Sequence, residues 1–149
     1  MSASMPPSGA NPPVEMLTAE RLTIELAPMA PEICRRYGEE FRDEHERSGP
    51  AAEAWCLHDN QYLLAWAIQD ARDGTVDLVQ QALWLADVLD RRGFPLERLA
   101  RDLEIATTVA EAAIPAQRLA ALVGERLLAG AAAVRAAPAE GPSTAASAE

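Results

Sequence analysis

The sequence predicts an all-α fold, a single-domain helical bundle of about five to six mostly antiparallel helices. Alanine, the strongest helix former, is the commonest of the 149 residues, and aromatic residues make up only 5%. Apolar residues recur at spacings of three and four along most of the chain. The breaks between these runs are short and contain Gly or Pro, so neighbouring helices are expected to pack antiparallel.

The bundle is expected to occupy residues 15–136, with a disordered tail on each side. Residues 1–14 and 137–149 are rich in Pro, Ser, Gly and Ala, and they offer almost no large apolar side chain to a core. Such segments cannot offset the entropy that is lost on ordering.

Capping residues and prolines predict two helices before residue 50. The first is short, begins at a Thr18 cap and ends before Pro28. The second begins with Pro31 in its favoured first position and ends at 48–50 (Ser-Gly-Pro). Its two faces differ in polarity, with apolar residues on one side (Ile33, Cys34, Tyr37, Phe41) and a solvated run of charges that includes 44–46 (Glu-His-Glu) on the other.

A third helix is predicted from Pro50 to Asp73, either continuous or broken near residues 58–60. In the broken form Asp59 or Asn60 would act as an internal cap. The segment 62–68 (YLLAWAI) is apolar almost all round and is therefore expected at the centre of the bundle.

Three further helices are predicted after Gly74. Thr75 is the expected cap of the fourth helix, Pro95 opens the fifth, and Pro115 separates the fifth from an alanine-rich sixth. Gly130 and Gly124 weaken the last helix or allow a neighbour to approach it closely. The face of the fourth helix expected to be buried carries Val76, Val79, Leu83, Ala86 and Leu89.

Charge and composition argue against several classes of partner. The net charge is −10, and all 13 basic residues are arginines. An acidic chain repels both a nucleic-acid backbone and an anionic lipid surface, so we expect no nucleic acid and no membrane as partner. The absence of lysine, with the high alanine and proline content, is typical of a GC-rich bacterial genome.

The cysteines, the first residues of the chain and the lack of a run of about 20 apolar residues together indicate a cytoplasmic protein. Cys34 and Cys56 lie in segments predicted as separate helices and fit neither zinc-type nor thioredoxin-type spacing. They are therefore expected to be two reduced, buried thiols. The first 13 residues lack the basic start and apolar core of a signal peptide.

The segment 55–62 (WCLHDNQY) is the most distinctive in the chain, and it is where a ligand site is predicted. If the helix is continuous, the residues 0, 4, 7, 11 and 15 positions along from Trp55 lie on one face. That face then carries carboxylates among aromatic rings. Such a face binds planar or cationic ligands through stacking and cation–π contacts, with a carboxylate of raised pKa as proton carrier. The alternative is a core helix in which these rings only bury area and His58 bonds to a loop. The candidate ligand-binding residues are Trp55, His58, Asp59, Tyr62 and Trp66, with Asp70 on the same face.

Metal and catalytic motifs are not evident in the sequence. Cys56 and His58 are two residues apart and point to nearly opposite sides of a helix, so they cannot share one metal ion there. Neither a nucleophile elbow, a phosphate-binding glycine loop nor a dinucleotide fingerprint occurs. We therefore expect no metal, assign no catalytic residue and name no cofactor.

Two surface features are candidate protein contacts. Trp84 and Val88 are four residues apart at the edge of the fourth helix, and form either an exposed patch or a contact with the fifth helix. The alanine face around Gly124 and Gly130 is the second candidate. Either surface could support a homodimer or bind another protein.

Residues 62–103 are predicted to form three helices separated by two turns, and this order is loosely similar to that of the helical cap that precedes cobalamin-binding domains. In that family an apolar helix is followed by a glycine turn and by a second and a third helix. The Asp-x-His-x-x-Gly motif that ligates cobalamin is absent from this sequence. No family is assigned on this resemblance.

Two functions follow from the sequence as expectations. The first is a non-enzymatic adaptor or regulatory module that acts through protein–protein contacts as a homodimer. The alternative is a small-molecule sensor or small enzyme with an aromatic and carboxylate pocket between Trp55 and Trp66.

Overall fold

The computed structural model describes residues 12–17 and 23–141, and within them it confirms the predicted all-α bundle. Two short strands, β1 (Glu15–Leu17) and β2 (Thr23–Glu25), precede the helices and pair antiparallel. The helices are α1 (Met29–Glu40), α2 (Arg42–Asp73), α3 (Leu78–Arg91), α4 (Leu96–Ala113) and α5 (Gln117–Ala136).

The helix predicted after Thr18 is wrong where the structure describes it, because residues 23–25 form strand β2. Ile24 and Leu26 are buried while Thr23 and Glu25 are exposed, and this alternation of period two is that of a strand. The Val14 carbonyl accepts the Leu26 N–H at 2.8 Å. The predicted Thr18 cap lies outside the described residues.

The helix that carries Pro31 begins at Met29, before the predicted start at Pro31, and ends earlier than the sequence predicts. Helix α1 stops at Glu40, and Phe41 adopts a non-helical conformation with its ring 4.7 Å from the Tyr37 ring. Helix α2 then begins at Arg42, so the start predicted at Pro50 is wrong and Pro50 lies inside this helix. The helix is kinked at Gly49, where φ is +50° and ψ is −126°. Only glycine adopts that conformation without strain.

Helix α2 is continuous through residues 58–60, so the alternative with an internal cap at Asp59 or Asn60 is wrong. Because the helix does not break, residues 55 to 66 project from one rigid element.

The start and the buried face of α3 also differ from the prediction. Asp77 caps this helix by accepting the Gln80 N–H at 3.2 Å, whereas Thr75 donates to Asp73. Leu83 is 37% exposed. The helix is therefore rotated relative to the predicted face, and its buried residues are Leu78, Ala82, Leu85, Ala86 and Asp90.

Helix α5 packs against α2, α3 and α4 and shares their core. A side-chain carbon at Gly130 would lie 2.7 Å from Leu78 Cδ1, and one at Gly124 would collide with Glu111. The two glycines thus permit close packing inside the molecule, which removes them from the candidate protein-contact surface. Of the helices described, none is both long enough and apolar enough to cross a bilayer.

Candidate functional site

An aromatic column runs along one face of α2. The ring centroids of Trp55 and His58 are 5.6 Å apart, those of His58 and Tyr62 are 5.1 Å apart, and those of Tyr62 and Trp66 are 5.6 Å apart. The continuous helix produces this column, because residues spaced by three and four lie on one face.

The column forms one wall of a groove between α2 and α3 with a volume of about 350 Å³. We call it the α2–α3 groove. Trp84 and Val88 of α3 form the opposite wall, so the structure brings the predicted ligand residues and the predicted contact pair to one place. All five predicted ligand residues line this groove, together with Leu85, Leu89 and Arg92.

Asp59 and His58 are mostly buried polar groups of the groove, which the charged side chain of Arg92 also lines. His58 Nδ1 lies 3.1 Å from Asp59 Oδ1. The His58 side chain is 16% exposed and the Asp59 side chain is 20% exposed. Burial raises the pKa of the Asp59 carboxyl, and His58, as a hydrogen-bond partner, opposes that rise. His58 Nε2 is buried and has no hydrogen-bond partner among the described residues.

Asp70 shares the helical face of the column but does not line the groove. Its Oδ2 accepts the Leu78 N–H at 2.8 Å at the start of α3, and its Oδ1 lies 3.3 Å from Arg126 Nε. Asp70 therefore joins α2 to α3 and α5, and its role is structural.

A larger cleft of about 640 Å³ lies on the other side of Trp55. We call it the α2–α4 cleft, since α2 and α4 supply most of its lining, with contributions from Tyr37 and the turn after α3. The groove and the cleft share the wall residues Trp55, Asp59, Leu89 and Arg92. The guanidinium carbon of Arg92 lies 5.3 Å from the centroid of the Trp55 ring.

Asn60 and Asp102 form a buried polar pair in this cleft. Asn60 Nδ2 donates to Asp102 Oδ1 at 3.0 Å and to the Cys56 carbonyl at 3.0 Å. Burial raises the pKa of Asp102 to about 7, whereas the hydrogen bond from Asn60 lowers it. Asn60 Oδ1 is buried without a partner among the described residues.

A charged network holds the turn between α1 and α2 against α4. Tyr37 donates its hydroxyl hydrogen to Glu44 at 2.8 Å, and burial together with this carboxylate raises the Tyr37 pKa. Arg98 contacts Asp43 at 2.9 Å and Glu44 at 3.4 Å. Glu44 thus belongs to a partly buried network, which corrects its prediction as part of a fully solvated charge run.

Cys34 and Cys56 form a disulfide between α1 and α2, with their Cα atoms 5.9 Å apart. The prediction of two reduced thiols is therefore wrong. The neighbouring helices cross at this point, and a separation of 22 residues in sequence gave no sign of it.

Periodicity identified the groove residues of α2, two of which also line the cleft, but it could not identify the buried pair Asn60 and Asp102. Asn60 and Asp102 are 42 residues apart, and neither belongs to a recognisable motif. Among the described residues, no three His, Cys, Asp or Glu side chains are arranged to hold a metal ion. The chain matches no protein-family model, no curated protein and no solved structure at a significant level of similarity. Its function has to be argued from geometry.

Proposed function

We propose that the protein is a small-molecule-binding module whose ligand occupies the α2–α3 groove. The observation that carries this proposal is the aromatic column of α2 facing Trp84, with a buried carboxylate and a buried, unpartnered imidazole nitrogen between the rings. Ligand sites of this kind combine mainly apolar walls with a few polar groups that fix orientation.

The ligand we propose is a flat aromatic or heteroaromatic molecule that carries a cationic nitrogen or an N–H group. Trp66, Tyr62 and Trp84 supply ring surfaces for stacking. Asp59 can accept the ligand's hydrogen. When His58 carries its hydrogen on Nδ1 and donates it to Asp59, this hydrogen bond fixes the orientation of the imidazole ring in the groove wall. The volume of about 350 Å³ is at the small end of the range for ligand pockets.

The test is a fluorescence titration with three acridines of similar size and different charge: cationic proflavine, neutral acridone and anionic acridine-9-carboxylate. We expect the anion to bind most weakly. Trp66→Ala should weaken proflavine about tenfold, because it removes a stacking surface worth roughly 1.4 kcal/mol. Leu128→Ala is the matched control, since Leu128 is an exposed apolar residue on α5 and does not line the groove.

Asp59→Asn tests the carboxylate separately from the rings. The change keeps the shape and removes the charge, so proflavine should bind more weakly while acridone should keep its affinity. Asp87→Asn serves as the control because Asp87 is an exposed carboxylate on α3, paired with Arg91 at 2.9 Å. The proposal would be refuted if the wild type bound all three acridines with the same affinity and if Trp66→Ala left those affinities unchanged.

The second candidate is the adaptor or regulatory module, acting through a protein partner or as a homodimer. Trp84 is 59% exposed and lies next to the exposed Leu83 on α3, which favours a protein contact. In this function Trp84→Ala should abolish the contact and Trp66→Ala should not. Native mass spectrometry of the wild type and both variants distinguishes the two functions, because a retained ligand adds a small mass to the monomer whereas a homodimer doubles the mass. We further propose a cytoplasmic location in a bacterial cell, although the Cys34–Cys56 disulfide removes the reduced thiols as support for it.

A further inference from the structure

The Cys34–Cys56 disulfide faces the α2–α4 cleft, outside the proposed ligand groove. Cys56 lines that cleft, and both cysteines are partly buried rather than enclosed in the core. At about 640 Å³, the cleft admits a small molecule to the disulfide but not a folded protein.

Asn60 lies next to the disulfide, and its amide group, which donates to Asp102 and to the Cys56 carbonyl, also faces the sulfur atoms. It is a buried side chain, 2% exposed, whose Nδ2 lies 3.4 Å from Cys56 Sγ and 3.8 Å from Cys34 Sγ. An amide N–H that faces sulfur stabilises a thiolate, because hydrogen bonding to the charged form favours that form.

The fold does not depend on the disulfide alone to hold α1 and the start of α2 in place. Glu40 at the end of α1 contacts Arg101 of α4 at 2.8 Å, and Tyr37 of α1 bonds to Glu44 of α2. Arg98 of α4 contacts that same Glu44. None of these contacts involves a sulfur atom, so we expect the helices to keep their places when the sulfur–sulfur bond opens.

We propose that Cys34 and Cys56 form a reversible thiol–disulfide exchange site for low-molecular-mass thiols that enter the α2–α4 cleft. A thiolate from the small thiol attacks Cys56 Sγ, the sulfur–sulfur bond breaks, and Cys34 leaves as a thiolate that takes up a proton. A second small thiol then displaces Cys56 from the mixed disulfide. Two small thiols are oxidised to their disulfide and the protein gains two cysteine thiols, so that electrons and protons balance.

This proposal agrees with the cytoplasmic location proposed above. Disulfides in that compartment are usually transient, catalytic or redox-sensing. Asn60 acts as a positioning residue, since it contacts the sulfur atoms and does not react.

The first experiment is redox equilibration of the folded protein in glutathione buffers, followed by alkylation of free thiols and intact mass measurement. We expect oxidised glutathione to form the disulfide and reduced glutathione to open it, with the helical circular dichroism retained in both states. The rate of opening by reduced glutathione is then compared between the folded protein and the urea-unfolded chain. A reversible site opens in the folded protein at a rate equal to or above that of the unfolded chain.

Single-cysteine variants test which sulfur the small thiol attacks. With oxidised glutathione, Cys34→Ser should trap a mixed disulfide on Cys56 several times faster than Cys56→Ser traps one on Cys34, because Cys56 lines the cleft and Cys34 does not. Thiols that stay free in oxidised glutathione would overturn the proposal. So would a disulfide that opens only in urea, or equal trapping rates in the two variants.

Discussion

Asp59 and Asp102 show how position decides what a carboxylate does in this protein. Both are mostly withdrawn from solvent, and burial raises the pKa of each. Asp59 lies beside His58 in a groove that a ligand can enter, whereas Asp102 has Asn60 as its hydrogen-bond donor. The negative charges of Asp59 and Glu44 raise the pKa of Asp102 further. Asp102 is therefore the residue whose ionisation should be visible in the stability of the fold.

Asp102→Asn should flatten the dependence of stability on pH. The ordinary pKa of 3.8 applies in the unfolded chain and about 7 in the folded one, so the folded state binds more protons between these values. The free energy of unfolding then falls as pH rises from about 4 to about 7, by up to about 1.4 kcal/mol per pH unit. Urea unfolding of wild type and Asp102→Asn across this range measures the difference. The same slope in both proteins would contradict the assignment, and Asp87→Asn controls for loss of an exposed charge.

At the residue scale the sequence predicts the part of the site that lies on one helix and misses the part that needs the tertiary fold. Trp55, Tyr62 and Trp66 could be grouped by helical spacing alone. The facing position of Trp84 depends on how α3 is rotated against α2, and the predicted burial of Leu83 placed that helix wrongly. The pair Asn60 and Asp102, like the disulfide, exists only because distant segments meet.

At the scale of secondary structure, prolines located the starts of α4 and α5, but the start predicted at Pro50 was wrong because Pro50 lies inside α2. Helix α4 begins directly after Pro95, and α5 begins two residues after Pro115. The end of α1 at Phe41 carries no such signal, because the turn is held by contacts of Phe41 with Tyr37 and Arg98. The three-residue strand β2 is too short for its alternation to be separated from a helical pattern.

The kink in α2 gives a prediction about two glycines in contrasting conformations. Gly49→Ala should destabilise the protein by about 1–3 kcal/mol, because φ of +50° with ψ of −126° is strained for any residue with a side chain. Gly38→Ala should stabilise it by about 0.5–1 kcal/mol, since Gly38 lies inside α1 and an added carbon meets no atom within 4 Å. Urea unfolding of both variants is the measurement. A Gly49→Ala variant as stable as Gly38→Ala would show that the kink is not required.

At the scale of the whole molecule, arginines connect the helices across an acidic surface. Arg135 of α5 contacts Glu97 at 2.8 Å and Glu104 at 2.7 Å on α4, and Arg101 of α4 reaches Glu40 of α1. The chain after α5 also returns to the bundle, because Asp90 accepts the N–H groups of Glu140 and Gly141. Each exposed ion pair of this kind contributes little to the stability of the fold. The pairs nevertheless lower the pKa values of Glu97 and Glu104.

The stability of the whole protein should be highest on the acidic side of neutrality. Hydrogen bonds from Arg35 and Arg36 lower the pKa of Glu32 to about 2, and arginine partners also lower the pKa values of Asp43, Glu97 and Glu104. Lowered pKa values add stability that is present above about pH 4.5 and is lost as pH falls. The raised pKa of Asp102 has the opposite effect, because it lowers the stability of the fold as pH rises above about 4. The net charge of −10 lowers stability further at neutral pH through repulsion between like charges.

Because of these opposing effects, we expect the melting temperature to be highest at about pH 5. This pH is close to the isoelectric point of about 4.6. Thermal melts followed by circular dichroism, in buffers of equal ionic strength from acid to mildly alkaline pH, locate the maximum. Asp102→Asn should move it toward neutral pH, because the opposing effect of this carboxyl is removed while the arginine-paired carboxylates stay. A wild-type maximum at or above neutral pH would mean that Asp102 is ionised in the fold without penalty, and it would remove the physical basis for its raised pKa.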